Sequence, residues 1–259
     1  MSGFGILAIY AVIMITATLI FTKKEKNVER FCVGSRKENW IMSALSIAAT
    51  WIWAPAMFVS TEKAYTNGFV GLFWFLVPNI LCLILFIPFA KKIRREMPEG
   101  ITLSGYMRDK YKSDGVKRVY LFQLMGLSVL STGVQLLAGS QVLSAATGMP
   151  FQLVTVLLAA IALSYSLFSG IKASMLTDAI QMVFMLAAST AFLIMAIRAD
   201  GTSGILEGIH GISGNYTSLW SEDGIEVFLA FGLPTTIGLL SGPFGDQSFW
   251  QRAFAVKSN

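Results

Sequence analysis

Few side chains in this sequence can do chemistry, and those few stand in apolar surroundings. Asp178 lies in Leu176-Thr177-Asp178-Ala179-Ile180-Gln181. A carboxylate inside a hydrophobic stretch is costly and by default marks the path of an ion or solute; the plainer alternatives are a helix cap or a pair with nearby Lys172. A second group is Ala48-Ala49-Thr50-Trp51-Ile52-Trp53-Ala54-Pro55. Pro55 has no N–H to offer the turn before it, so a helix here is broken or kinked, and carbonyls released from the ladder can coordinate a cation. A third is Asp246, Gln247, Trp250 and Gln251, which follow a run punctuated by Gly232, Pro234, Gly238, Gly242, Pro243 and Gly245. Cys32, Cys82 and His210 are isolated and form neither a disulfide framework nor a zinc site. With no nucleophile–base pair and no phosphate-cradling loop, the sequence argues against an enzyme and calls for no cofactor beyond a coupling ion.

The elements that position these groups are membrane helices. Hydrophobic residues make up 54% of the 259 and charged residues only 14%, too apolar for a soluble domain of this size. Apolar stretches of spanning length, about 20 residues, run over 3–22, 40–60, 69–90, 119–146, 152–170, 175–197 and 227–243. They lack the alternation of barrel strands, so helices are expected: an all-α, polytopic transmembrane protein with about seven spans. The first has no basic residue ahead of it and is followed by Lys23, Lys24 and Lys26. It reads as a retained span, not a cleaved signal.

With the N-terminus outside, the loops 23–38 and 91–118, the turn at Lys172 and the C-terminal tail hold 18 of the 20 Lys and Arg. That asymmetry makes those loops cytoplasmic. The net charge of +5 is thereby explained by topology and lipid headgroups, and nucleic acid is not implied. The expected location is the plasma membrane, with the C-terminus inside.

Two interrupted helices separated by four unbroken ones fit the first and sixth helices of a five-plus-five inverted repeat, whose unwound midplane backbone binds solute and ion. A packing kink is the alternative for either helix alone. The chain resembles the sodium:solute symporter family, and within it the urea active transporter branch. Phe31-Cys32-Val33-Gly34-Ser35-Arg36, Thr50-Trp51-Ile52-Trp53-Ala54, Gly71-Leu72-Phe73-Trp74, Tyr165 to Ala173, Thr177 to Gln181 and Asp246 to Arg252 carry the likeness. Each is weak alone; their order and spacing are specific.

The resemblance implies a partial leucine-transporter-like fold. Residues 1–38 would be an extra helix and basic loop, 39–198 the first five-helix repeat, 199–223 an outer loop and 224–259 the first helix of a second repeat. It implies symport of a small polar solute down a sodium or proton gradient. Sodium would be held by the backbone carbonyls of Ala48 and Trp51, with Thr50 adding a polar side chain. Asp178 would lie on the cation pathway, and Trp53, Trp74, Asp246, Gln247 and Trp250 would bind solute or form the gate. Sugar-carrying relatives place a carboxylate where this chain has Phe73, so a sugar is disfavoured. The paired tryptophans favour urea or a related amide or polyamine, sandwiched by aromatic faces and bonded by Asp246 or Gln247. Four core helices of the family, and about half the expected cation ligands, have no counterpart in the chain. It is therefore expected to be a fragment, one part of a split transporter joined by a chain supplying the other helices, or a remnant. As a remnant it would be a non-transporting interaction partner of a host carrier.

Overall fold

The structure is a computed structural model and describes residues 3–257. In chain order its elements are α1 (Gly3–Phe21), α2 (Val28–Val33), α3 (Trp40–Trp51), α4 (Ala54–Glu96), α5 (Leu103–Tyr111), α6 (Asp114–Thr147), α7 (Phe151–Ser169), α8 (Ile171–Gly208) and α9 (Glu222–Val227). A π-helical turn (Phe228–Gly232), α10 (Leu233–Gly245) and α11 (Gln247–Ala255) complete the chain. Six helical stretches are long and apolar enough to cross a membrane: α1, α4, α6, α7, α8 and the run from α9 through α10; α3 is apolar but shorter. α4 is two helices joined at Gly68, whose φ of 52° and ψ of −137° are not helical. The spans expected at 40–60 and 69–90 are thus α3 with the first part of α4, and the second part of α4. Large apolar side chains such as Phe122, Val129 and Phe192 are exposed along these helices, as on a surface whose solvent is lipid. The protein is a polytopic helical membrane protein.

Side-chain oxygens start most helices by taking the amides that have no intrahelical acceptor. Asn39 accepts from Ile41 N at 2.9 Å, Thr102 from Gly105 N at 3.1 Å and Ser221 from Gly224 N at 3.1 Å. Gly148 and Gly170 end α6 and α7 at positive φ, where an L side chain is strained.

The described chain divides into two compact units. One holds the residues up to Pro55, Lys91–Met182 and those from Asp246 on. In it α1 and α7 run in the same direction. Gly3 lies against Thr147 and Met149, just ahead of α7, and Glu25 N donates to Phe168 O at 3.3 Å near its end. Leu7, Met149 and Val154 are buried together, with Leu143, Leu157 and Leu158 packed on them. A second core joins Ile171, Met175 and Ala255, with Met42 against it, and so gathers α3, α8 and α11.

The basic loops of this unit meet. The Arg36 guanidinium donates to the carbonyls of Pro98 (3.1 Å), Gly100 (2.9 Å) and Glu99 (2.9 Å) and pairs with Glu29 at 2.9 Å. Arg94 donates to Phe254 O at 2.5 Å, and Lys172 pairs with Glu38 at 3.8 Å. Glu38 bridges Val256 in parallel. The loop 23–38, the loop after α4, the turn at Lys172 and the end of α11 are therefore neighbours, the grouping that their charge requires. On α5, outside the spans, burial and then a hydrogen bond to Glu96 raise the Tyr106 phenol above its ordinary pKa.

The other unit holds Ala56–Ala90 and Val183–Gly245. At Gly68 its backbone meets the segment after α8: Phe69 N donates to Ile209 O at 2.8 Å and Ile212 N to Tyr65 O at 2.9 Å. A cavity of about 590 Å³ beside them is lined by Thr61, Tyr65, Phe69, Ile205, Ile209 and Ile212. Further along, the Trp74 ring lies 4.5 Å from that of Phe228 and against Gly232, where an added Cβ would stand 2.8 Å from Trp74 Cγ. The π turn spans these contacts; Pro234, just beyond it, gives no N–H back to the turn.

Candidate functional site

The first expected break is present. α3 ends at Trp51, and α4 begins at Ala54 after the extended Trp53 (φ −85°, ψ 160°). Pro55 does not kink a helix but opens one, in the first turn, where its missing N–H costs nothing. The carbonyls of Thr50 and Trp51 are among those that lose their usual donors at the break. The one that would serve Trp51 is Pro55, which has none. The one that would serve Thr50 is Ala54 N, which instead donates to Gln135 Oε1 of α6 at 2.9 Å. Ala48 O is differently placed: it accepts Ile52 N at 2.9 Å and keeps one lone pair. The Thr50 hydroxyl donates to Ser46 O at 2.8 Å, which leaves its oxygen free to accept.

The second break lies beyond the glycines and prolines of the seventh span. α10 runs through Pro243 to Gly245, and the helix breaks at Asp246 (φ −106°, ψ 116°). The Asp246 carboxylate accepts Ser248 N at 2.8 Å and starts α11. Gln247 tethers that start to the loop before α5, accepting Leu103 N and donating to Ile101 O, both at 3.2 Å. It also lines a cavity of about 240 Å³ with Thr102, Ser104 and Ser128. Trp250 is 2% exposed and belongs to the core. The two breaks adjoin: the Trp51 ring meets Phe249 of α11 edge-on at 5.4 Å. The buried Trp51 indole N–H has no acceptor among the described residues, and neither has that of Trp74 in the other unit.

Asp178 is an ion-pair partner, and its partner is Arg252, not Lys172. Arg252 Nη2 stands 2.6 Å from Asp178 Oδ2. Ser46 donates to the same carboxylate oxygen at 2.6 Å and accepts Arg252 Nε at 2.6 Å, while Arg252 Nη1 donates to Ser248 O at 3.0 Å. Ser174 completes the group at 3.4 Å from both charges. Arg252 is 5% exposed and Ser46 fully buried. A charge pair out of water is tolerable only when further hydrogen bonds support it, as Ser46, Ser174 and the Ser248 carbonyl do here.

The sodium:solute symporter family pattern matches residues 31–259. The chain belongs to the sodium:solute symporter family. It is 27% identical over 252 residues to the probable urea active transporter 1 of Schizosaccharomyces pombe, covering 91% of this chain and 37% of that protein. It is 26% identical to the urea active transporter of Saccharomyces cerevisiae, with 97% and 36% covered, and 23% identical to the urea-proton symporter DUR3 of Oryza sativa subsp. japonica, with 98% and 39% covered. The chain spans a little over a third of the length of these curated relatives. The family and these relatives are transporters, not enzymes.

In this symporter-family chain the structure gathers Trp51, Asp178, Asp246 and Trp250 with α3, α8 and α11 in one unit, and sets Trp74 in the other. Sequence reasoning missed Ser46, Ser174, Gln135 and Arg252. The one hint of Arg252 was that it is the only charged residue on α11, whose other side chains are aromatic, small or amide, but its place near the chain's end grouped it with the basic residues of the tail.

Proposed function

We propose that this chain takes part in the symport of a small polar solute, urea or a related amide or polyamine, driven by a sodium or proton gradient. It acts with a complementary set of helices of the kind that the rest of its longer relatives provides. The observation that carries the reading is the buried Asp178–Arg252–Ser46 cluster beside two adjoining helix breaks. The carbonyls of Thr50 and Trp51, with the remaining lone pair of Ala48, offer neutral oxygens to a cation. A cation leaving them toward the basic face meets Asp178, whose charge Arg252 neutralises. Competition for that carboxylate releases Arg252 and with it α11, so ion passage and gate movement share one bond. The free Trp51 N–H suits a urea carbonyl, and the same backbone oxygens suit its amide hydrogens. Trp53, at the break, supplies a flat aromatic neighbour.

The relatives' names support urea, and that of the rice protein supports the proton as coupling ion. Under this reading α3 and the first part of α4 form core helix 1 of a leucine-transporter-like repeat, and α9 to α11 form core helix 6. The clustered basic loops support a plasma-membrane topology with the N-terminus outside and the C-terminus cytoplasmic. Uptake of labelled urea into vesicles that hold the chain together with the complementary helices, under an imposed sodium or pH gradient, tests the reading. Accumulation under one gradient identifies the coupling ion; accumulation under neither counts against symport.

A further inference from the structure

The family match begins at residue 31, so α1 lies wholly outside it. Yet α1 reaches the neighbourhood of the ion pair through polar side chains. Gln181, three residues beyond Asp178 on α8, donates its amide to the Tyr10 hydroxyl of α1 at 2.7 Å. Tyr165 of α7 lies beside Tyr10, and Thr177, the residue just before Asp178, lies beside Tyr165. Thr177 is buried and bonds Ala173 O and Ser174 O, each at 3.0 Å.

The turn of α8 that carries Asp178 is therefore held from two directions. Asp178 faces Arg252 and Ser46, while Gln181 faces Tyr10. In a helix the residue three places on lies about 60° around the axis from the starting one, so Gln181 points to a different side from Asp178 while staying on the same turn. Any rotation of α8 that withdraws Asp178 from Arg252 must therefore strain the Gln181–Tyr10 bond as well. With no water in hydrocarbon to replace a lost partner, such a bond holds a helix in one rotational setting.

We infer that Tyr10 is a positioning residue for Asp178. Its hydroxyl fixes Gln181, and through it the rotation of α8 that presents the carboxylate to Arg252. α1 is thus part of the gate's mechanics. The meaning for transport rests on the proposed role of Asp178; the linkage itself is tested without transport.

The test uses the full chain purified in detergent, carrying Cys32→Ser and Ser174→Cys. Position 174, beside both charges, is the reporter, and the native, buried Cys82 of α4 is the control. Tyr10→Phe is expected to speed thiol modification at position 174 by about three- to tenfold, the range set by one interhelical bond in a membrane protein. Cys82 is expected to be unaffected. Gln181→Leu should match that change, and the double variant should not exceed either single one. Unchanged modification in Tyr10→Phe overturns the inference, as do multiplied effects in the double variant or an equal rise at Cys82. Should Ser174→Cys fail to fold, amide exchange over 174–182 in Tyr10→Phe reads the same opening. Acceleration confined to that segment supports the inference, and none overturns it. Absent urea uptake beside the expected labelling pattern would count against the transport reading alone.

Discussion

A guanidinium has five N–H donors and keeps its charge at any physiological pH, so burying one obliges the fold to surround it with acceptors. Asp178, Ser46 and the Ser248 carbonyl do this for Arg252. Arg252→Ala leaves the carboxylate without its counter-charge and should cost about 3–5 kcal/mol. The double variant Arg252→Ala/Asp178→Ala should cost clearly less than the two single changes summed, in a double-mutant cycle read by denaturation in detergent. Strict additivity would mean that the two side chains are not coupled. Of this pair only the aspartate was legible in the sequence. A carboxylate in an apolar run stands out, whereas Arg252 lies 74 residues away and reads as one more basic residue of a cytoplasmic tail. Its partner is set by the packing of α11 on α3 and α8, which residue types along the chain do not encode locally.

At the scale of elements, the break between α3 and α4 depends on two features of different origin. Pro55 was legible because its missing N–H is a property of the residue. Gln135 was not, because it reaches Ala54 N from α6, 81 residues away. Gln135→Leu should leave that part-buried amide without its partner at a cost of about 1 kcal/mol, and hydrogen exchange at Ala54 should quicken; unchanged exchange would show that another group caps α4. The second break was legible in kind but misplaced. Glycine and proline are common within membrane helices, so α10 runs through them, and the capping carboxylate of Asp246 decides where the helix restarts. A similar local rule governs Gly170, where φ is +60° and an added Cβ would stand 2.2 Å from Phe31 O. Gly170→Ala should displace α2 from the α7–α8 turn and raise the reactivity of Cys32, measured by thiol labelling. Equal labelling would place the strain elsewhere.

Across the whole molecule, the apolar runs and basic loops made the spans and their grouping readable, because lipid leaves so few ways to satisfy a backbone. What the sequence could not carry is the set of side chains that guards the break. Under the proposed symport Asp178 is the point at which ion passage and gate opening meet, and uptake by the assembled carrier tests this most directly. The chain would be co-expressed with the part of the Saccharomyces cerevisiae relative that lies beyond the matched region, and labelled urea followed in vesicles under sodium and pH gradients. Concentrative uptake is expected under one gradient, with Asp178→Asn letting urea equilibrate without being concentrated. Concentrative uptake undiminished in Asp178→Asn, or no uptake by the unaltered pair under either gradient, would contradict it.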